Sequence, residues 1–122
     1  MNARSIIERF HEAQREGGTS AGLGILDRGI AELRDAHDLG GVIQVSRVAS
    51  VAAEHLGDAA LAARYLYGAP EPESALWQLA LYRLLQASGQ IEQSRSHLDA
   101  GIELARKSGD PRLIELFRGA GL

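Results

Sequence analysis

The sequence contains no cysteine, which excludes disulfides, thiolate nucleophiles and cysteine-based zinc or iron–sulfur sites. No apolar run approaches the roughly 20 residues that a membrane-spanning helix needs. The net charge is −3 at pH 7, so the chain also lacks the overall basic character that is typical of nucleic-acid binders. Residues 1–9 are charged and have no apolar signal core. We therefore expect no secretory signal, no membrane partner and a cytoplasmic location.

Motifs for catalysis and for cofactor or metal binding are also missing. No glycine-rich phosphate loop is present, and Gly22-Leu23-Gly24 does not follow a strand as a dinucleotide fingerprint would. The histidines are scattered, with no two of them four residues apart: His11, His37, His55 and His97. No metal site is predicted from this spacing. His37 continues the apolar stripe of Leu26, Ile30 and Leu33 and is expected to be partly buried. We expect a non-enzymatic protein without a cofactor.

Helix-starting and helix-ending residues are abundant. Ser5-Ile6-Ile7-Glu8 has the pattern of a capping box, and Thr19 or Ser20 is predicted to cap the second helix, which Gly40-Gly41 would end. Gly57-Asp58 joins a helix-ending glycine to a helix-capping aspartate, and Gly109-Asp110-Pro111 adds proline at the first helical position. This punctuation predicts an all-α fold, and the length of 122 residues predicts a single domain over 1–122.

The predicted helices form antiparallel hairpins over about 5–39, 42–69 and 75–107, with a capping helix over about 111–118. The third helix begins in a β-branched segment. Val45, Val48, Ala52 and His55 nevertheless step by 3, 4 and 3 residues, which favours a helix over a strand. The fifth helix is predicted from Ala75 to about Ser88, with Ser74 as its candidate N-cap. It is apolar on nearly all sides, so we expect it to be the most buried.

A small, bulky, small pattern follows each of three turn glycines. Counting five, nine and twelve residues on from Gly17, Gly57 and Gly89 gives Gly22-Leu26-Gly29, Ala62-Leu66-Ala69 and Ser94-Leu98-Gly101. Small residues seven apart allow a neighbouring helix to approach closely, and a helical glycine costs roughly 1 kcal/mol relative to alanine. In this register residues 5–107 resemble the tetratricopeptide repeat family, which implies a right-handed, solenoid-like array of about three hairpins.

The resemblance also implies a concave groove that holds a peptide or helix of a partner protein. Its positions lie 13, 10, 6, 3 and 2 residues before each turn glycine: Arg4, Ile7, His11, Gln14, Arg15, Gln44, Arg47, Val51, Glu54, His55, Leu76, Leu79, Arg83, Gln86 and Ala87. These positions are basic on a net acidic chain, and arginine suits carboxylate recognition. We therefore expect an acidic partner and no nucleic acid. The predicted binding residues are Arg15, Gln44, Arg47, Val51, Glu54, His55, Leu79, Arg83 and Gln86.

Two other functions remain open. The apolar fifth helix and residues 113–117 could leave an uncovered end, in which case the chain would be a self-associating structural protein that forms a homodimer. Alternatively, Gln44, Ser46 and Arg47 could read bases as part of a helix-turn-helix DNA-binding motif. The net charge and the tight hairpins argue against that motif, whose two helices cross at a steep angle.

Overall fold

The computed structural model describes residues 2–120, and these residues form helices without any strand. The helices are α1 (Ala3–Gly17), α2 (Thr19–Asp35), α3 (Leu39–His55), α4 (Ala59–Gly68), α5 (Ala75–Ala87), α6 (Ile91–Ser108) and α7 (Pro111–Arg118). The predicted all-α character is confirmed.

The helices belong to two compact units, Met1–Ala69 and Pro70–Leu122. In the first unit α1 packs against α2 and also against α3, while α3 packs against α2 and α4. In the second unit α5 packs against α6, and α7 contacts both. The arrangement of all the hairpins as one repeat domain stays a prediction.

The core of the first unit depends on glycines that let α1 lie close to α2. Ile6 and Phe10 of α1 are buried against this helix. A Cβ atom on Gly22 would lie 2.6 Å from the ring of Phe10, and one on Gly29 would lie 2.5 Å from Ile6 Cγ2. No side chain fits at these two positions unless its neighbour moves. The close approach predicted from the small residues is therefore present in this hairpin.

In the second unit Phe117 of α7 packs into the space beside Gly101 of α6. A Cβ atom on Gly101 would lie 2.5 Å from the ring of Phe117, which is fully buried. Most residues of α5, the helix expected to be the most buried, are buried or half-buried, but Leu76 is 57% exposed. Leu81 and Leu85 form the buried face of the same helix.

Three helix connections have the same backbone pattern. At Gly57 and Gly89 the chain adopts a positive φ, and the amide of the next residue bonds back to the carbonyl five positions earlier, at Ala53 and at Leu85. His37 occupies the equivalent place between α2 and α3, with φ 58°. Its side chain is exposed. The expectation of a partly buried His37 is wrong, because this residue forms the turn and does not extend the stripe of α2.

The caps of α4, α5 and α7 are those predicted, since the side chains of Asp58, Ser74 and Asp110 each accept a hydrogen bond from a first-turn amide. At α1 the capping box joins Asn2 to Ser5, not Ser5 to Glu8. At α2 neither Thr19 nor Ser20 caps the helix, because Gly18 holds the N-cap position without a side-chain bond.

The expectation that Gly40-Gly41 ends the second helix is wrong, because α2 ends at Asp35 and both glycines lie in the first turn of α3. Asp38 caps that turn by accepting a hydrogen bond from the Gly41 amide at 2.9 Å. A Cβ atom on Gly41 would lie 2.6 Å from the Asp38 carboxylate. This glycine therefore makes room for the cap that begins α3.

Candidate functional site

The first unit contains an open cleft between α1 and α3. Its volume is about 400 Å³, which is within the range of ligand-binding clefts. The two helices pack directly against each other, so both walls belong to the same unit. The lining residues are Phe10, His11 and Gln14 of α1, and Arg47, Val48, Val51, Ala52 and His55 of α3.

The floor of this α1–α3 cleft is apolar. Phe10 and Ala52 are buried and Val48 is half-buried, whereas Val51 is 54% exposed. Positions 48, 51, 52 and 55 of α3 lie on one face, because they are spaced by three and four residues. An exposed valine beside a buried apolar floor offers a surface on which a partner side chain can pack.

Polar groups form the rim of the cleft. The His11 ring lies beside that of Phe10, with 5.3 Å between the ring centroids. His11 Nδ1 is 3.4 Å from Gln14 Oε1, and Gln14 Nε2 donates to Thr19 Oγ1 at 3.0 Å. An amide oxygen only accepts, so in this arrangement Nδ1 carries the imidazole hydrogen. Arg47 and His55 line the α3 side, and among residues 2–120 no carboxylate side chain lines the cleft.

The structure brings together part of the predicted groove. Arg47, Val51 and His55 line the cleft, as do His11 and Gln14 from the wider set of groove positions. Arg15, Gln44 and Glu54 lie on the same two helices, are exposed and do not line the cleft. Leu79, Arg83 and Gln86 lie on α5 in the second unit, where Leu79 is half-buried and the other two are exposed.

Three residues of the floor were not among the predicted site residues: Phe10, Val48 and Ala52. Their signal in the sequence is the apolar spacing of α1 and α3, which predicts burial and does not distinguish a core position from a cleft floor. The base-reading alternative loses one of its three residues, because Ser46 is only 2% exposed and its side chain is not available to contact a base edge.

A second cleft of about 400 Å³ lies between α2 and α4, on other faces of the first unit. No Cα atom of α2 lies within 8 Å of one in α4 among the residues described. Side chains span the gap. The Tyr65 hydroxyl donates to Asp27 Oδ1 at 2.5 Å, and Arg34 Nη2 donates to the Gly68 carbonyl at 2.7 Å. Polar groups of this α2–α4 cleft thus form hydrogen bonds with one another and with the backbone.

Tyr65 remains a donor in this arrangement at neutral pH. Burial, the hydrogen bond to Asp27 and the negative charge of Asp27 all raise the pKa of the Tyr65 hydroxyl above its ordinary value of 10.0, and Arg64 opposes them. The phenol therefore keeps its proton, and the ionised Asp27 carboxylate has a stable donor.

A polar chain in the second unit fixes the loop before α5. Gln78 Nε2 donates to the Pro72 carbonyl at 2.9 Å, and His97 Nδ1 lies 2.6 Å from Gln78 Oε1. The His97 ring stands edge-on to Trp77, with 5.7 Å between centroids. Burial lowers the pKa of His97 below its ordinary value, so the neutral imidazole is favoured here. These contacts hold the loop before α5 against α5 and α6.

No protein-family model, no curated protein and no solved structure matches the chain. Across residues 2–120 no helix is both long enough and apolar enough to cross a membrane. The same part of the chain contains no group of three or more metal-ligating side chains. The geometry of the clefts is therefore the basis on which a function is proposed.

Proposed function

We propose that the chain is a non-enzymatic module that binds an acidic segment of a partner protein in the α1–α3 cleft. One observation carries this proposal. An apolar floor with an exposed valine is bordered by Arg47, His11 and His55, and no carboxylate side chain of the described part of the chain lines the cleft. This combination suits a segment with an apolar anchor residue and neighbouring carboxylates.

The proposal includes a repeat architecture like that of tetratricopeptide repeats, a right-handed array of helical hairpins. It is supported by the glycines of α2 that bring α1 close, and by the contact between α3 and α4. There the Ser50 hydroxyl donates to the Ala62 carbonyl at 2.9 Å, and both residues are buried. In the family that the sequence resembles, the first helices of successive hairpins line the groove, and α1 and α3 are these helices here.

Arg47 is the principal charged contact in this proposal. It lines the cleft on α3 one helical turn before Val51, so a carboxylate bound by its guanidinium would lie beside the apolar anchor of the same segment. Arginine binds carboxylates through two parallel hydrogen bonds, which fix the orientation of the segment as well as its affinity.

A displayed library of random peptides tests the proposal, because it samples acidic and apolar residues in many combinations. Selection on the wild-type chain is expected to enrich peptides that combine aspartate or glutamate with an aliphatic residue. Arg47→Glu is expected to lower the affinity for the selected peptides about tenfold, because an attractive charge pair becomes a repulsive one. Arg28→Glu is the matched control, because it makes the same charge change at an exposed position of α2. Arg28 does not line the α1–α3 cleft.

Two results would contradict the proposal. The first is that no peptide is enriched, and the second is that Arg47→Glu binds the enriched peptides as tightly as Arg28→Glu does. Circular dichroism of both variants checks that their helical content equals that of the wild type.

Self-association is the second candidate function, and exposed apolar residues of the second unit favour it. Leu76 of α5 is 57% exposed and Leu116 of α7 is 51% exposed. If these residues form a homodimer, sedimentation equilibrium will give twice the chain mass, and Leu76→Glu will return the monomer. A wild-type chain that is monomeric at high concentration would exclude this candidate.

A further inference from the structure

We propose that the α2–α4 cleft of the first unit binds a small phosphate monoester through the guanidinium groups of Arg34 and Arg64 and the hydroxyl of Ser46. This site is independent of the proposed function, because it lies in a different cleft and takes a different class of ligand. The α2–α4 cleft has a volume of about 400 Å³, which is within the range of clefts that hold small organic ligands.

Arg34 is oriented by the end of α4. Its Nη2 donates to the Gly68 carbonyl at 2.7 Å, and a Cβ atom on Gly68 would lie 3.1 Å from the same nitrogen. The glycine therefore makes room for the guanidinium. A guanidinium has five N–H donors, so this hydrogen bond leaves others for a ligand. A side chain that is already oriented loses less conformational entropy when a ligand binds.

Arg64 brings a second positive charge to the cleft. It precedes Gly68 by four residues, so the two positions lie on one face of α4, one turn apart. Arg34 is bonded to Gly68, and both arginines therefore line the same part of the cleft. In the part of the chain that the structure describes, neither arginine has an ion-pair partner. Their charges are thus available to an anion.

Asp27 is the carboxylate of the lining, and it accepts the hydrogen bond from the Tyr65 hydroxyl at 2.5 Å. It precedes Arg34 by seven residues, which is about 10 Å along the axis of α2. A phosphate bound beside Arg34 can therefore avoid this carboxylate. The two arginine charges exceed the single aspartate charge, so the lining is positive overall.

The floor of the cleft supplies a hydroxyl and apolar surface. Ser46 of α3 is 2% exposed and belongs to the lining, so its hydroxyl is a donor at depth. Ile30 is also buried, and Leu61 is half-buried. These two side chains offer a surface on which the organic part of a ligand can pack.

The number and type of donors favour a phosphate monoester over a carboxylate. A phosphate monoester carries about −1.5 to −2 charges at pH 7 and has three strong acceptor oxygens. One guanidinium is enough to bind both oxygens of a carboxylate, whereas two guanidinium groups and a hydroxyl match the charge and the three oxygens of a phosphate.

The test uses the full chain and phenyl phosphate in phosphate-free buffer near neutral pH, with inorganic phosphate and benzoate as comparison probes. Dissociation constants are measured by amide chemical-shift titration of the wild type, Arg64→Gln and Arg28→Gln. Arg64 is exposed, and its replacement leaves the bond between Arg34 and Gly68 in place. Arg28→Gln is the matched control, because it removes the same charge from an exposed position of α2 outside this cleft.

Phenyl phosphate is expected to bind the wild type with a dissociation constant of about 1 mM or lower and to shift the amides of Ser46 and of residues 61–68. Arg64→Gln is expected to bind about tenfold more weakly, because one charged donor is lost, and Arg28→Gln to change by less than about twofold. Benzoate has less charge and inorganic phosphate has no ring, so each is expected to bind at least about threefold more weakly than phenyl phosphate.

Three results would overturn the assignment: no binding of phenyl phosphate by the wild type, equal affinities of Arg64→Gln and Arg28→Gln, or benzoate or inorganic phosphate binding as tightly as phenyl phosphate. The proposed function is unaffected by any of them, because the acidic segment is assigned to the α1–α3 cleft. A peptide selection that enriches nothing would in turn leave the phosphate site standing.

Discussion

Two clefts of the first unit have similar volumes of about 400 Å³ but different linings. In the α2–α4 cleft Tyr65 bonds to Asp27 and Arg34 bonds to the Gly68 carbonyl, so hydrogen bonds within the chain cross the gap. In the α1–α3 cleft the floor is apolar, Val51 is more than half exposed, and the charged residue of the lining is Arg47. Hydrogen bonds thus join two helices across the α2–α4 cleft, whereas the α1–α3 cleft is the proposed partner site.

This comparison predicts that partner binding and folding stability depend on different residues of the first unit. Substitutions in the α1–α3 cleft should change the affinity for an acidic segment and leave the free energy of unfolding nearly unchanged. Substitutions in the α2–α4 cleft should do the reverse.

The largest effect is expected from Val51→Glu. It removes the exposed apolar anchor and adds a carboxylate that repels an acidic segment, which together are worth about 2 kcal/mol or about a 30-fold loss of affinity. Because Val51 is 54% exposed, the free energy of unfolding should change by less than about 0.5 kcal/mol. Titration calorimetry and urea denaturation measure the two quantities. Ala31→Glu, at an exposed position of the α2–α4 cleft, is the control and should bind normally.

Arg34→Ala is expected to lower stability by about 1 kcal/mol, because the last turn of α4 loses its charged donor to the Gly68 carbonyl. The affinity for the acidic segment should not change. A urea midpoint equal to that of the wild type would show that the Arg34 contact does not stabilise the packing of α4 beside α2. It would contradict the claim that hydrogen bonds across the α2–α4 cleft stabilise the fold.

Tyr65→Phe is expected to have the smallest effect near neutral pH, a loss of about 0.5 kcal/mol for one exposed hydrogen bond. The stability difference between wild type and Tyr65→Phe is expected to depend on pH only in the alkaline range. The folded state raises the pKa of Tyr65 above that of the unfolded chain, so this stabilisation is present below about pH 10 and is lost as pH rises further. The gap in stability between wild type and Tyr65→Phe should therefore stay constant up to about pH 10 and narrow between about pH 10 and pH 12. Urea denaturation across this interval measures the gap, and one that stays constant would contradict the assignment.

The helix boundaries show which local signals the sequence carries. Asp58, Ser74 and Asp110 cap the predicted helices because each stands directly before an uninterrupted helical segment. Gly40-Gly41 misled because glycine is typical of helix ends, whereas here Gly41 accommodates the Asp38 cap at a helix start. The turn at His37 gave no signal, since a residue other than glycine adopts the positive φ that Gly57 and Gly89 adopt in the other connections.

The candidate site was only partly predictable because it depends on which faces of α1 and α3 meet. The residues counted back from the turn glycines include Arg47, Val51 and His55, which line the α1–α3 cleft. The same counting gave Gln44 and Glu54, which lie on α3 outside the lining. Periodicity identifies a helix face, but the partner that covers it depends on contacts between residues far apart in the sequence.

The most direct test is amide chemical-shift mapping of the full chain with a selected acidic peptide. We predict that the largest changes fall on both walls of the α1–α3 cleft, at His11 on one side and at Val48, Val51 and His55 on the other, with residues 61–68 of α4 unaffected. Changes centred on Arg64 and Tyr65, or confined to the second unit, would contradict the claim that the α1–α3 cleft holds the partner.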